Sequence, residues 1–225
     1  MPRHALPRRR LLSGLAGVSA LTLAGGGSLV LATGRSLAQD AAPDSAGDAV
    51  TYRPYTLGDP DAPVKILEFS SFTCGHCASF HTDTLPLLKE QYIDTGKANL
   101  TLVDFPLDDV ALAVTLITRC APEPLYHKLV EIYFADQDAW LKRNPLEPIL
   151  GIARLGGLSE AQLDACLTDE ALFEEIQRRR AEAEARFNIT GTPTFAINGV
   201  RHPGSYKADS LLPAVAEALA KAEGN

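Results

Sequence analysis

The chain has 225 residues, of which 46% are hydrophobic and 22% charged, and a formal net charge of −7 at pH 7. The first 38 residues hold five of the 21 basic residues and none of the 28 acidic ones, so the remainder has a formal charge of −12. Such an acidic chain has no electrostatic basis for non-specific binding to nucleic acid. Its length suits one well-cored domain with an insertion and is short for two.

Residues 1–38 are typical of an export signal. Arg8-Arg9-Arg10 precedes a Gly-rich apolar run from Leu11 to about Ala32, and Ser36-Leu37-Ala38 offers the small residues of a signal peptidase site. The paired arginines before Leu11-Leu12 also favour the twin-arginine route over the Sec route. An uncleaved membrane anchor is the alternative, because the run is long enough to span, although the six glycines between Gly14 and Gly34 weaken this segment as a helix. We therefore expect cleavage near Ala38 and a periplasmic location.

Two strands are predicted in the first half of the remaining chain. Residues 39–51 are small and polar and indicate a flexible lead-in. Val64 to Ser70 is a short apolar run that follows a turn-rich segment, which favours a buried strand. Asn99 to Phe105 has the same character and predicts a second strand.

A helix is expected between these strands. Thr73 is a candidate N-cap for a helix that begins at Cys74 and runs toward Gly96. Pro86 lies inside this segment, and a proline in a helix interior removes a backbone hydrogen bond. We therefore expect the helix to bend there.

The second half of the chain is predicted to be mainly helical. Helical spacing of apolar residues extends from about Asp109 to Phe187, with breaks expected at Pro122, Pro124, Pro145, Pro148 and Gly156-Gly157. Thr194–Ile197 and Val200–His202 then form a hairpin around Asn198-Gly199, and Ala208–Lys221 forms an amphipathic helix. The order predicts an α/β core with a helical insertion in its middle.

Cys74-Gly75-His76-Cys77 is the segment with the clearest chemistry. Thiol–disulfide exchange needs an attacking thiolate and a second thiol that resolves the mixed disulfide. At a helix start, this spacing brings both sulfurs together and places the first at the positive end of the helix dipole. We expect Cys74 to be the nucleophile, with a lowered pKa, and Cys77 to be the buried resolving thiol. His76 adds a donor and, when protonated, a charge that favours the thiolate.

A C-x-x-C pair can also be half of a metal site. His81 lies seven residues after Cys74, on roughly the same helix face. A carrier of Cu(I) or Zn(II) using Cys74, Cys77 and His81 is therefore an alternative of a different class. Packing of His81 within the helix, or its exposure to solvent, is the simpler interpretation.

Two distant segments resemble the DsbA-like disulfide oxidoreductases. Residues 66–77 (ILEFSSFTCGHC) resemble the active-site segment of that family, and residues 191–199 (GTPTFAING) resemble its cis-proline loop. The helical block between them, about 108–187, resembles the family's insertion. The resemblance covers nearly all of residues 52–222 and implies a thioredoxin fold over 52–225. It also implies catalysis without a metal or organic cofactor.

The resemblance assigns further site residues. Pro193 is expected to be the cis proline facing the active-site cysteines, and the backbone of Thr192 is expected to pair with an extended substrate. Glu68, six residues before Cys74, matches the family's buried acid, which implies a raised pKa and a role in accepting the proton that Cys77 loses. The alternatives are an ordinary trans proline at Pro193 and a water-facing Glu68 on a strand edge.

Cys120 and Cys166 lie 46 positions apart in the helical block. In an oxidising compartment the simplest interpretation is a structural disulfide between two insertion helices, and some relatives look similar there. Such a loop contributes about 4 kcal/mol in the chain-entropy model. A second redox pair and two free buried thiols are the alternatives.

Together these features predict a periplasmic oxidase that introduces disulfide bonds into exported proteins through Cys74 and Cys77. The implied partners are reduced unfolded exported proteins and a DsbB-type membrane oxidase. The short lead-in leaves no room for the dimerisation domain of periplasmic isomerases, which favours a monomer. Typical oxidases of the family carry Pro-His between their cysteines, whereas Gly75-His76 is the dipeptide of protein disulfide isomerases. A reductase or isomerase is therefore the alternative within the same chemistry.

Overall fold

The computed structural model describes residues 52–224. The predicted signal peptide, its cleavage site and the lead-in through residue 51 lie outside the described residues. Within the described range, none of the helices combines the length and the apolar composition that crossing a membrane requires.

A five-stranded mixed sheet forms the centre of this part of the chain. Its strands are β1 (Tyr55–Leu57), β2 (Val64–Ser70), β3 (Ala98–Asp104), β4 (Thr194–Ile197) and β5 (Val200–Arg201). They lie in the order β1-β3-β2-β4-β5, with β2 and β3 parallel and the other neighbours antiparallel. The central β2 pairs Ile66 with Leu100 of β3 and with Ile197 of β4. The three-residue β1 was not predicted, because so short a run carries no periodicity of its own.

The helix after β2 begins one residue later than predicted, and its predicted cap is wrong. α1 spans Gly75–Ser79, and Cys74 is its N-cap, with an extended backbone and a side chain that accepts the N–H of Cys77. The hydroxyl of Thr73 instead donates to Oδ2 of Asp108, at 2.7 Å. A long-range contact therefore takes the side chain that local propensity selected as the cap.

The same helix is irregular on both sides of its proline. After α1 come a π-helical turn (Phe80–Thr84), α2 (Leu85–Leu88) and a second π-helical turn (Lys89–Ile93). Pro86 occupies the first turn of α2, where its missing N–H costs little. A bend was predicted at Pro86, and the irregularity seen here is a π-helical turn directly before α2.

The predicted helical insertion lies between β3 and β4. It consists of α3 (Asp109–Cys120), α4 (Glu123–Ala135), α5 (Gln137–Trp140), α6 (Leu146–Leu155), α7 (Glu160–Leu167) and α8 (Glu170–Phe187). Pro124 and Pro148 do not break helices but lie in the first turns of α4 and α6, where proline is tolerated. The chain ends with the predicted hairpin, in which Asn198 and Gly199 both have positive φ, and with α9 (Ala208–Glu223).

The two faces of β2 have different neighbours, which determines where Glu68 points. Ile66 packs in one cluster with Phe80 and with apolar residues of α9. Phe69 packs on the opposite face against Phe187 of α8, with ring centroids 5.0 Å apart. Because side chains alternate along a strand, Glu68 shares the face of Ile66 and lies beneath the helix that carries the cysteines. This arrangement is the predicted thioredoxin fold with a helical insertion.

Candidate active site

Cys74 is a half-buried thiol at the N-terminus of α1. Its Sγ accepts the N–H of Cys77 at 3.3 Å and lies 3.2 Å from the carbonyl oxygen of Thr192. A hydrogen bond from the Cys77 side chain lowers the pKa of Cys74 to about 5, against the opposing effect of partial burial. The Thr192 side chain and the backbone N–H groups of Cys77 and His76 lower it further. These contacts favour the thiolate form of Cys74.

Cys77 has the opposite character. Its side chain is fully buried, and both it and Cys74 are free thiols in the structure. Burial raises the pKa of Cys77 far above that of an ordinary thiol, and the hydrogen bond to Cys74 and the charge of Glu68 add to this effect. A partly exposed sulfur with a lowered pKa beside a buried thiol is the arrangement that thiol–disulfide exchange requires.

The loop before β4 lies against this pair. The bond between Thr192 and Pro193 is cis, and the carbonyl of Thr192 is the group that contacts Cys74. Pairing of Phe69 with Thr194 between β2 and β4 fixes the loop beside the end of β2, from which the active-site helix departs. Both residues predicted to bind substrate therefore lie beside Cys74.

His76 is exposed, and its ring contacts Tyr206 rather than the Cys74 sulfur that it was predicted to stabilise. Nδ1 lies 3.1 Å from the hydroxyl of Tyr206, just before α9. The group of His76 that lowers the pKa of Cys74 is its backbone N–H. The imidazole is thus placed at the rim of the site, next to Tyr206.

Glu68 is fully buried, so the alternative of a water-facing carboxylate is wrong. Each of its carboxylate oxygens lies 3.1 Å from Nε2 of His81. The imidazole of His81 also stacks on Phe134 of α4, with centroids 4.0 Å apart and an interplanar angle of 14°. The acid beneath the cysteines is therefore half of a buried Glu–His pair.

This pairing argues against the metal-carrier alternative. Nε2 of His81 faces a carboxylate, and the ring is held in place by stacking rather than turned to the thiols of Cys74 and Cys77. Among the residues that the structure describes, no three His, Cys, Asp or Glu side chains come together in a way that could hold a metal ion. The residues present do not fit a Cu(I) or Zn(II) site.

Gln137 also contributes to the site, and no pattern in the sequence indicated it. This first residue of α5 donates its side-chain N–H groups to the carbonyls of Phe72, at 2.6 Å, and Cys74, at 3.2 Å. Gln137 therefore holds the backbone at Cys74 in place. Gln137 is 63 residues from Cys74 in the chain, and no local pattern connects the two. The Glu68–His81 pair was not predicted either, although the packing of His81 within the fold was one of the expectations for this residue.

Cys120 and Cys166 are joined in the structure. The bond connects the last residue of α3 with α7, and the two Cα atoms lie 5.7 Å apart. Cys120 packs beside a small apolar cluster that includes Leu116 and Ile176. This cluster is separate from the one that contains Cys77.

The chain is similar in sequence to a known family and to named proteins. The family model described as Thioredoxin matches residues 51–217. A relative from Rickettsia bellii, named "Putative protein-disulfide oxidoreductase", is 30% identical over 168 residues, which cover 72% of this chain and 63% of that protein. A relative from Bacillus cereus, named "Probable disulfide bond formation protein D", is 30% identical over 152 residues, which cover 64% of this chain and 69% of that protein.

A solved structure extends the match to three dimensions. Alpha-DsbA1 from Wolbachia pipientis superposes with a TM-score of 0.70 and 29% identity, covering 76% of this chain and 94% of that one. The match with the Rickettsia bellii protein spans less than two thirds of that protein's length. The shared fold and the sequence matches lead to one assignment: the chain belongs to the thioredoxin family and, within it, to the DsbA-like disulfide oxidoreductases.

Proposed function

We propose that this protein is an exported oxidase that introduces disulfide bonds into other exported proteins. The observation that carries the proposal is the position of Cys74 at the N-terminus of α1, where its Sγ accepts the N–H of Cys77 beside the fully buried Cys77 thiol. This environment lowers the pKa of Cys74 to about 5. In a disulfide-exchange protein, a stabilised nucleophilic thiolate stabilises the reduced form and makes the disulfide form a stronger oxidant. The site therefore favours transfer of its disulfide to a substrate dithiol.

The reaction follows from the placement of the two thiols. A substrate thiolate attacks Sγ of Cys74 in the Cys74–Cys77 disulfide, so that the bond to Cys77 breaks and Cys77 leaves and takes up a proton. A second substrate thiolate then attacks the substrate sulfur of the mixed disulfide and releases Cys74 as a thiolate. The substrate loses two electrons and the protein gains them. Two thiols suffice for this chemistry, and no cofactor is required.

The loop at Thr192 and Pro193 is the proposed docking point for the substrate. Both residues are half-buried and lie beside Cys74. An extended substrate segment would add to the backbone there as a short strand, which brings its cysteine to the nucleophile without a requirement for one sequence. Reduced, unfolded exported proteins are the substrates that suit such a surface.

The cellular context rests on the sequence of residues 1–38. Export and removal of the signal near Ala38 would leave a working domain over residues 52–225 in the periplasm. A DsbB-type membrane oxidase would return Cys74 and Cys77 to the disulfide form. A single domain with a complete site needs no second copy, which favours a monomer.

The Gly75-His76 dipeptide favours a second candidate, a reductase or isomerase. The two functions differ in the equilibrium of Cys74 and Cys77 with glutathione, which a thiol-trapping assay measures on the purified protein. We expect a potential near the DsbA end of the range, about −120 mV. A value near that of thioredoxin, about −270 mV, would replace the oxidase with a reductase. Cys74→Ser, which cannot form the bond, gives the blank.

A further inference from the structure

The buried end of the site must exchange a proton with solvent in every cycle. Cys77 alternates between a thiol and a sulfur in a disulfide, so one proton leaves or reaches it each time. Cys77 and Glu68 are both fully buried. Neither group can exchange that proton directly with water, and the exposed side of the site is the side that a substrate covers.

His81 connects Glu68 to a separate opening. Its side chain is 8% exposed, whereas that of Glu68 is 0% exposed. The exposed part of His81 lines a groove of about 810 Å³ that also contains titratable residues of β1 and α4. The groove is lined in part by Tyr55, His81, Leu85, Pro86, His127 and Glu131.

We propose that His81 is a positioning residue that keeps Glu68 available as the proton acceptor and passes the proton of Cys77 between Glu68 and the water of this groove. The inference rests on the proposed disulfide exchange at Cys74 and Cys77, and it assigns the proton a route apart from the substrate.

The oxidation of the reduced protein shows how charge and electrons balance. The Cys74 thiolate attacks a disulfide of the oxidising partner and forms a mixed disulfide, releasing one partner thiolate. Cys77 then gives its proton to the Glu68 carboxylate and attacks Sγ of Cys74, so the Cys74–Cys77 bond forms and the second partner sulfur leaves as a thiolate. Once Glu68 is protonated, the His81 tautomer that carries its hydrogen on Nδ1 accepts the proton from Glu68 at Nε2, and Nδ1 gives its own hydrogen to water in the groove. The two cysteines are oxidised, and the partner disulfide is reduced.

The surroundings of His81 suit this role. Phe134 covers one face of the imidazole, and Phe80 meets its edge, so the ring cannot turn away from Glu68. Burial raises the pKa of Tyr55, and the charges of Glu131 and Glu68 raise it further. Tyr55 and Glu131 line the groove with His81. Titratable and charged groups face His81 from three other elements: Glu68 on β2, Tyr55 on β1, and His127 and Glu131 on α4. The helical segment that carries His81 itself adds Cys77, Asp83, Lys89, Glu90 and Asp94. Acidic side chains predominate among these groups.

Stopped-flow oxidation of the reduced protein by dithiobis(nitrobenzoate), whose thiolate product is coloured, separates the two chemical steps. The first release of colour depends on reagent concentration and reports attack by Cys74. The second is independent of that concentration and reports attack by Cys77. The test variant is His81→Gln, which can still donate a hydrogen bond to Glu68 but cannot carry a proton. The matched control is His127→Gln, which changes a histidine of the same groove that makes no contact with Glu68.

In His81→Gln the second step should slow by about 10²-fold, the lower range for a positioned acid–base group. Without the imidazole, Glu68 has no partner that passes the proton on to water, so the loss of the proton from Cys77 depends on hydroxide instead. The second step should consequently become faster with rising pH, while the first step and the His127→Gln variant keep the rates of the unchanged protein. Imidazole added to His81→Ala should restore part of the second step.

Three results would overturn the inference. They are a second step in His81→Gln with the original rate and pH profile, an equal loss in His127→Gln, and an equal loss of both steps, which would mean that His81 serves the fold alone. Failure of the proposed function would give a different result. In that case the first step of the unchanged protein would be no faster than that of an ordinary exposed thiol.

Discussion

The lowered pKa of Cys74 depends first on a donor supplied by its own partner, and a pair of substitutions isolates that donor. Cys77→Ala removes the hydrogen bond to the Cys74 sulfur, whereas Cys77→Ser keeps a hydroxyl donor at the same position. A hydrogen bond to a charged group contributes about 1.5–3 kcal/mol, and one pH unit corresponds to about 1.36 kcal/mol. We therefore expect the pKa of Cys74 in Cys77→Ala to lie about 1–2 pH units above that of the unchanged reduced protein. Cys77→Ser should stay close to the unchanged value.

The assay is the rate of alkylation of Cys74 by iodoacetamide as a function of pH. Both variants leave Cys74 as the reactive thiol, since Cys120 and Cys166 are joined, so the midpoint of the rate profile gives its pKa directly. In the unchanged protein the midpoint should fall near 5. Identical midpoints in the alanine and serine variants would refute the assignment of the effect to a donor at residue 77. The helix N-terminus and the Thr192 loop would then have to account for the whole shift.

Three further predictions follow from the same contacts. The pKa of Cys74 is lowered on folding, so between about pH 5 and 9 the unfolded chain binds the extra proton and the free energy of unfolding of the reduced protein should rise with pH. Denaturant titrations at several pH values test this, and the same slope in Cys74→Ser would contradict it. Gln137→Ala should cost about 1–2 kcal/mol of stability, because it removes two hydrogen bonds to buried backbone carbonyls; an unchanged denaturation midpoint would count against that contact. Replacing both Cys120 and Cys166 by serine should lower the free energy of unfolding by about 4 kcal/mol and leave Cys74 alkylation unchanged. A changed alkylation rate would show that the bond serves the active site.

The elements that the sequence predicted well are those encoded over a few residues. The strand before Cys74, the positions of Cys74 and Cys77, and the Asn198-Gly199 turn each follow from neighbours in the chain. The turn requires positive φ at both central residues, which Asn and Gly tolerate better than other residue types. The resemblance of two such local segments to one family then predicted the overall fold.

The errors arise where a distant residue decides the outcome. Thr73 has the better intrinsic propensity to cap a helix, but Asp108 engages its hydroxyl, so Cys74 takes the cap position. Gln137 reaches the active-site backbone only because α4 and α5 fold over it, and Tyr206 meets His76 across 130 residues. A single sequence contains no periodic signal for such pairs.

The carbonyl of Thr192 acts differently on the two protonation states of its neighbour. A protonated Cys74 donates to this oxygen at 3.2 Å, whereas an ionised sulfur has nothing to donate and meets the negative end of the carbonyl dipole. When the substrate has received its disulfide, Cys74 is released as a thiolate. Repulsion between this thiolate and the Thr192 carbonyl should then loosen the contact between the Thr192-Pro193 loop and the active site. Ionisation of Cys74, which makes the disulfide form oxidising, would then also favour release of the oxidised substrate.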